Sequence, residues 1–459
     1  MKSYELKPTP ENLLNTFWED TISRNNDVFR FIDILNTIED CCSIALDGNW
    51  GCGKTFFVKQ TKMIMDAHNK CVTSVDETVR QEIIQKHSEY RPLEELKMQP
   101  QICVYYDAWE NDNDEDPILS LVYCIMQSMD VDYSLKESPN CLQVGLSILE
   151  LISGKNFGQI IEKLRGEDPL SMLKKEKDLH REISKFLDSI MCERGNRLVI
   201  FVDELDRCKP EYAVKLLERV KHYFENDHIS FVFSTNMKQL QHTIRRYYGD
   251  KFDAYKYLDR FFDFCIPMPK ADYSKFYTSM NFNDSYYTYD IVCDAVIKAY
   301  HFELREVAKF LRWAKTAAYK PTHSDEYNVT FLSNRGFEFC LLYFIPVMLG
   351  MRIYDADVYE EFVHGRNDKP LLEVFEVLGE DFFYELLNND ETYGIPRENQ
   401  KQVSLVAKIK ELYNVIFVKQ YMRDEHYTRI GGYAFTKDTK EFLFQVVGLR
   451  SKYTDLGVD

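Results

Sequence analysis

Residues 48–55 read Gly48-Asn49-Trp50-Gly51-Cys52-Gly53-Lys54-Thr55, a match to G-x-x-x-x-G-K-[ST]. Those residue types at that spacing suit one task, the cradling of a triphosphate. Glycines let the chain turn its N–H groups inward, and the first turn of a following helix adds free donors at the positive end of its dipole. Lys54 then reaches the β and γ phosphates and the Thr55 hydroxyl ligates Mg2+. On this reading the nucleotide-binding stretch comprises Gly48, Asn49, Trp50, Gly51, Cys52, Gly53, Lys54, Thr55 and Phe56. The Trp50 ring is too large to touch phosphate and is expected to pack against a sheet or a neighbouring helix.

Two carboxylates end a second apolar run, Leu198-Val199-Ile200-Phe201-Val202-Asp203-Glu204. A carboxylate at a strand tip can hold a metal-bound water, and the next one can orient and deprotonate an attacking water, so Asp203 takes the first role and Glu204 the second. Asp206 is the alternative base; otherwise it caps the helix that starts near Pro210 or pairs with Arg207. A third tip, Ser234-Thr235-Asn236, offers Asn236 to the γ phosphate or the lytic water. Charge on the transferred phosphoryl oxygens calls for an arginine beyond Lys54, and Arg260 and Arg305 are the candidates.

Such residues need a frame that brings distant tips together. Apolar runs at Ser43–Leu46, Ile102–Tyr106, Leu198–Val202, Ile229–Ser234 and Phe261–Ile266 alternate with stretches of helical spacing. That alternation predicts an α/β fold with a doubly wound, mostly parallel sheet covered on both faces. The phosphate-binding stretch lies between the first run and a helix, where it must be to work. Residues 112–192 read as a helical insert, and from Lys270 onward the pattern is almost wholly helical. The expected divisions are 1–270 for the nucleotide domain, 271–320 for a helical lid and 321–459 for a helical C-terminal domain.

The chain of 459 residues, 45 % hydrophobic and 14 % aromatic, can bury a large core, which excludes disordered and fibrous classes. Its 57 basic against 74 acidic residues leave a net charge of −17, a poor counterion for nucleic acid as a whole. Arg245, Arg246, Lys251 and Lys256, with Tyr247 and Tyr248 between them, form the one modest basic patch, readable as a nucleic-acid contact or as a solvated helix face. The 12 cysteines contain no C-x-x-C pair to seed a zinc site. Met1–Glu11 lacks the apolar run of a secretory signal, so reduced thiols and a cytoplasmic location are expected. The most apolar stretch, Phe339–Met351, contains Pro346 and falls short of the roughly 20 residues a membrane helix needs, so no membrane insertion is expected. His87, His180 and His222 read as surface residues of helices.

The motifs resemble those of the KAP family of P-loop NTPases, a group related to the STAND and AAA+ ATPases. The resemblance rests on Ile44-Ala45-Leu46-Asp47-Gly48-Asn49-Trp50-Gly51-Cys52-Gly53-Lys54-Thr55, with its W-G-x-G-K-[ST] form, and on Val202-Asp203-Glu204-Leu205-Asp206-Arg207-Cys208-Lys209-Pro210, which is similar to D-x-L-D-R-C-x-P. Tyr106-Asp107-Ala108-Trp109 looks like the family's F-N-A-W strand end, and Leu304-Arg305-Glu306-Val307 like its L-R-E lid helix. Cys52 stands where serine is usual, Asp107 for asparagine, Glu204 for aspartate and Asn236 for an acidic residue. Together the matches cover residues 10 to about 320.

The resemblance implies an ATP-driven conformational switch of bacteria, with several members acting in defence against phage. It points to ATP and Mg2+ as ligands and to a second copy or a co-encoded protein as partner, engaged through the C-terminal helices. Adenine is the default base, because the Asn-Lys-x-Asp element that reads guanine is absent. The alternatives to an ATPase switch are a nucleotide-gated scaffold with little turnover and a DNA-stimulated ATPase; a small-molecule kinase is disfavoured by the long insert and helical tail.

Overall fold

The computed structural model describes residues 7–90, 98–114, 116–128, 183–188, 191, 195–224, 226–279, 282, 287–322, 335–379, 405–420, 422 and 426–449. The chain divides into two compact units, the first spanning Lys7–Asp272.

This unit is built on a five-stranded sheet ordered β2-β3-β4-β1-β5. Its strands are β1 (Cys42–Asp47), β2 (Gln101–Asp107), β3 (Arg197–Asp203), β4 (Ile229–Thr235) and β5 (Phe264–Pro267), and every pairing is parallel. The expected doubly wound sheet is therefore present; β5 begins later than the apolar run suggested, because residues 259–263 turn before they extend. All residues of β3 and β4 are buried, as continuous apolar strands covered on both faces must be.

Alternation along the strands sorts the core into two layers. Ile44, Leu46, Cys103, Val199, Phe201 and Val232 pack with Phe17, Phe31, Leu35, Phe57 and Val58, which lie on α1 (Pro10–Glu19), α2 (Asn25–Thr37) and α3 (Lys54–His68). Ala45, Val104, Tyr106, Ile200, Val202 and Phe233 face the opposite layer, with Leu121, Leu217, Leu240 and Leu258. Those four belong to α5 (Pro117–Gln127), α6 (Pro210–Tyr223), α7 (Met237–Tyr248) and α8 (Ala254–Leu258); α4 (Glu77–Tyr90) precedes β2. Of the insert expected over 112–192, residues 112–114, 116–128 with α5, a helical stretch at 183–188 and residue 191 are described, and the remainder, with His180, lies outside the described residues.

His87 is not a surface residue. It is fully buried, stacked on Phe29 at 4.6 Å between ring centroids, and its Nδ1 lies 2.9 Å from His68 Nε2. The helical spacing of α4 alone does not reveal that α2 and α3 both pack on that face. His222, by contrast, is exposed as expected.

The second unit, Tyr273–Asp459, is mostly helical. It contains α9 (Ser274–Ser279), α10 (Thr288–Ala299), α11 (Leu304–Thr322), a helical run from Arg335 to Tyr354, and shorter helices at Ala356–Val363, Lys369–Leu378, Leu405–Tyr413 and Thr439–Val447. A two-stranded antiparallel hairpin, Thr428–Ile430 with Tyr433–Phe435, adds a β element that the sequence reading of this region omits. Pro346 does not end the apolar helix. The turn before it, Cys340–Phe344, widens to π geometry, which accommodates a residue that lacks an N–H and crowds the preceding turn. The resulting segment Gly336–Tyr354 is long and apolar enough to cross a membrane by length and composition, longer than the stretch judged from sequence, and 72% of it is buried inside the protein. Close helix packing explains a glycine there: a Cβ at Gly350 would lie 2.4 Å from Val296 Cγ1 of α10.

Candidate nucleotide site

The site is assembled where β1, β3 and β4 end. Register aligns Leu46 with Ser234 and Ser234 with Asp203, so the loop after β1 and the acidic tip of β3 stand two strands apart, about 10 Å, at the same edge. Two glycines bend that loop through left-handed backbone, Gly51 at φ 87 and Gly53 at φ 92, and Gly53 caps α3. Gly48 is required for a different reason: a Cβ there would lie 2.7 Å from Cys52 Sγ and 2.8 Å from Met268 Cβ. The first hydrogen bond into α3 runs from Phe57 N to Gly53 O, which leaves the N–H groups of Lys54, Thr55 and Phe56 without helical acceptors at the helix start.

Lys54, itself buried, donates from Nζ to the carbonyls of Gly48 at 2.6 Å and Asn49 at 3.2 Å, so its ammonium lies along the loop. Thr55 Oγ1 donates to Asp203 Oδ2 at 2.7 Å across 148 residues of sequence. Asp203 is fully buried, and its other oxygen accepts the N–H of Glu204 at 3.0 Å. A carboxylate and a hydroxyl in contact form an all-oxygen pair of the kind a hard divalent cation prefers, so Thr55 and Asp203 fit Mg2+. Among the described residues no group of three or more His, Cys, Asp or Glu could hold a metal by itself. A cation here would therefore need phosphate oxygens and waters as further ligands.

Glu204 occupies left-handed backbone at φ 60, and its Oε2 sits 2.5 Å from Arg207 Nε. Burial, followed by the Asp203 charge, pushes its carboxyl up to about 7, while Arg207 pulls the other way. Arg207 thus pairs with Glu204 rather than with Asp206 as expected. Its guanidinium lies 5.9 Å from the Trp50 ring and 5.4 Å from the Trp109 ring. Both oxygens of Asp206 are engaged: Oδ2 accepts from Trp50 Nε1 at 2.5 Å and Oδ1 from Thr235 Oγ1 at 3.0 Å. Trp50 departs from the expected packing too. It is 46% exposed, and its indole is tied to Asp206 of the 3-10 turn Leu205–Arg207 that follows β3.

Asn236 stands at the tip of β4, where its Oδ1 caps α7 by accepting Gln239 N at 3.1 Å. Asp107, the residue at the β2 tip, uses Oδ1 to close a turn with the N–H groups of Trp109 and Glu110. Arg260 is not brought to the loop. It precedes β5, whose approach is pinned to the start of β1 by Asp263 N to Ser43 O at 2.8 Å, a strand's length of about 16 Å from the loop. Arg305, exposed at the start of α11, belongs to the second unit. Sequence reasoning missed Tyr105, whose hydroxyl donates to Asp203 Oδ2 at 2.9 Å. It also missed Arg24, whose guanidinium donates to Cys52 O at 2.6 Å and Pro269 O at 2.5 Å and so ties the loop to the segment after β5. Tyr105 directly precedes Tyr106-Asp107-Ala108-Trp109, but an aromatic in an apolar strand gives no sign of its partner, and Arg24 lies outside every motif.

Among solved structures, the ORC2 protein of Aeropyrum pernix, determined as ADPNP-ADP complexes, aligns over 93% of this chain and 94% of its own at 13% identity with a TM-score of 0.34. PCH-2 of C. elegans aligns over 82% and 70% at 12% identity with a TM-score of 0.21. At these values neither bears on activity. No curated protein matches the chain. The model of the KAP family P-loop domain matches residues 24–282, more than half of the chain and all of the strands and tips just described. The chain belongs to the KAP family of P-loop NTPases.

Proposed function

We propose that this protein is a Mg2+-dependent ATPase that works as a conformational switch. The observation that carries the reading is the bond between Thr55 Oγ1 and Asp203 Oδ2 at 2.7 Å, which joins the two motifs into one oxygen-lined site beside Lys54 and Glu204. The N–H groups of the loop and of the α3 start bind the triphosphate. Lys54 turns from the Gly48 and Asn49 carbonyls to the β and γ phosphates. Thr55 and Asp203 hold Mg2+, which when bound screens the phosphate charge and orients the γ phosphate. Glu204, released from Arg207, takes a proton from the attacking water, and Asn236 orients that water through its amide.

Arg260 can serve only a neighbouring copy, since its own loop is about a strand's length away. Arg305 and α11 act as the lid, and the helices of 321–459 offer the surface for a second copy or a co-encoded protein. Anti-phage defence is the biological role that family membership suggests, with ATP rather than GTP as the default nucleotide.

Phosphate release by the wild type beside Lys54→Ala and Glu204→Gln, with and without DNA, tests the reading. Release that survives Lys54→Ala overturns the site, and stimulation by DNA favours the DNA-dependent variant of the function. One observation favours a second reading, a nucleotide-gated scaffold: Arg207 holds the base at 2.5 Å. Equal, slow release by wild type and Glu204→Gln selects it. Mixing Arg260→Ala with Glu204→Gln chains and finding no rescue argues against action across copies.

A further inference from the structure

We propose that Tyr105 is a positioning residue for the metal-holding carboxylate, its hydroxyl fixing the Asp203 oxygen that faces Thr55. The inference rests on the site reading above and extends it to a residue outside both motifs.

Tyr105 lies on β2, paired with Phe201, and Asp107 is paired with Asp203, so Tyr105 and Asp203 share one face of the sheet two residues apart along the strands. The ring lies along that face toward the tip, and its hydroxyl donates to Asp203 Oδ2 at 2.9 Å. The same oxygen accepts from Thr55 at 2.7 Å, while Oδ1 accepts the Glu204 N–H at 3.0 Å. A fully buried carboxylate is thus given its orientation by donors from β2, α3 and the segment after β3.

The ring is itself fixed: Lys59 Nζ, one helical turn beyond Thr55 on α3, sits 4.2 Å from its centroid. Tyr105 therefore connects the helix that begins at the phosphate loop to the carboxylate two strands away. Groups of this kind orient a ligand oxygen, and their removal typically weakens metal affinity about 10–100-fold. A phenol, with an ordinary pKa near 10, is a donor throughout the physiological range. Phenylalanine cannot replace that function, although it fills the same space.

The test uses the full chain with Mn2+ as probe and a nonhydrolysable ATP analogue. Mn2+ bound to the protein–analogue complex is read by electron paramagnetic resonance, and analogue affinity in EDTA is measured separately. Tyr105→Phe is expected to raise the Mn2+ dissociation constant about tenfold while leaving analogue affinity in EDTA unchanged. Unchanged Mn2+ affinity overturns the proposal. So does an equal loss of Mn2+ affinity and EDTA affinity, which marks Tyr105 as a merely structural residue. Wild type that takes up analogue but no Mn2+ overturns the metal assignment of Thr55 and Asp203 and this inference with it, whereas normal wild-type Mn2+ uptake with an unaltered variant overturns the inference alone.

Discussion

Glu204 combines a proposed chemical role with unfavourable backbone, and the two can be separated by substitution. Its φ of 60 places a residue with a Cβ in left-handed space, at a cost of about 1–2 kcal/mol. Glycine at this position removes that cost, loses about 0.5–1 kcal/mol to the greater freedom of the unfolded chain, and gives up a partly exposed ion pair with Arg207 worth at most about 1 kcal/mol. The sum lies between about −1 and +1.5 kcal/mol, so Glu204→Gly should fold about as stably as the wild type. Loss of a general base, in contrast, lowers turnover about 10²–10⁴-fold, or roughly 3–5 kcal/mol of barrier. Glu204→Gln keeps the backbone and the side-chain shape, and should lose turnover to the same extent while retaining nucleotide affinity. The assays are urea unfolding and single-turnover phosphate release on all three proteins. A Glu204→Gly protein destabilised by more than about 2 kcal/mol contradicts the backbone argument, and a Glu204→Gln protein that turns over normally contradicts the assignment of the base.

Gly48→Ala forces a Cβ to within 2.7 Å of Cys52 Sγ and 2.8 Å of Met268 Cβ; overpacking of this kind costs about 1–3 kcal/mol, and the displaced loop should bind ATP at least tenfold more weakly by calorimetry. Wild-type affinity in that variant would contradict the loop geometry. His68 and His87 are lowered to about 4 by burial, with the Arg80 charge adding to the shift of His68 and the neighbouring imidazole to that of His87. Their unfolded pKa is near 6.5, so the unfolded chain binds more protons between those values. Stability is therefore full above about pH 6.5 and falls as pH drops toward 4, by on the order of 3 kcal/mol for the first imidazole to protonate. Urea midpoints at pH 7, 5.5 and 4.5 should decline for the wild type and less steeply for His68→Gln/His87→Gln; equal slopes would refute the assignment.

Much of the frame is legible in the sequence because buried parallel strands are written as short continuous apolar runs, each followed by a turn and a helix. The loop is legible because glycines and Lys54 act through backbone geometry that is local to them. What is not legible is pairing at distance. Trp50 finds Asp206 across 156 residues and Tyr105 finds Asp203 across 98, and no local signal in an indole or a phenol names such a partner. Burial of His87 was hidden for the same reason: α4 carries few apolar residues, and the helix is covered because α2 and α3 pack on it. Arg260 is different. In a parallel sheet every strand runs the same way, so a residue that precedes β5 must stand at the edge opposite a loop that follows β1, a deduction the sequence already allowed.

The central claim is that the bend after β1 grips a triphosphate through Lys54. Isothermal titration of the wild type and Lys54→Ala with a nonhydrolysable ATP analogue and Mg2+ tests it directly. Removal of a charged donor to phosphate is worth about 1.5–3 kcal/mol, so the variant should bind about 10–150-fold more weakly. Equal affinity in the two proteins would contradict the account.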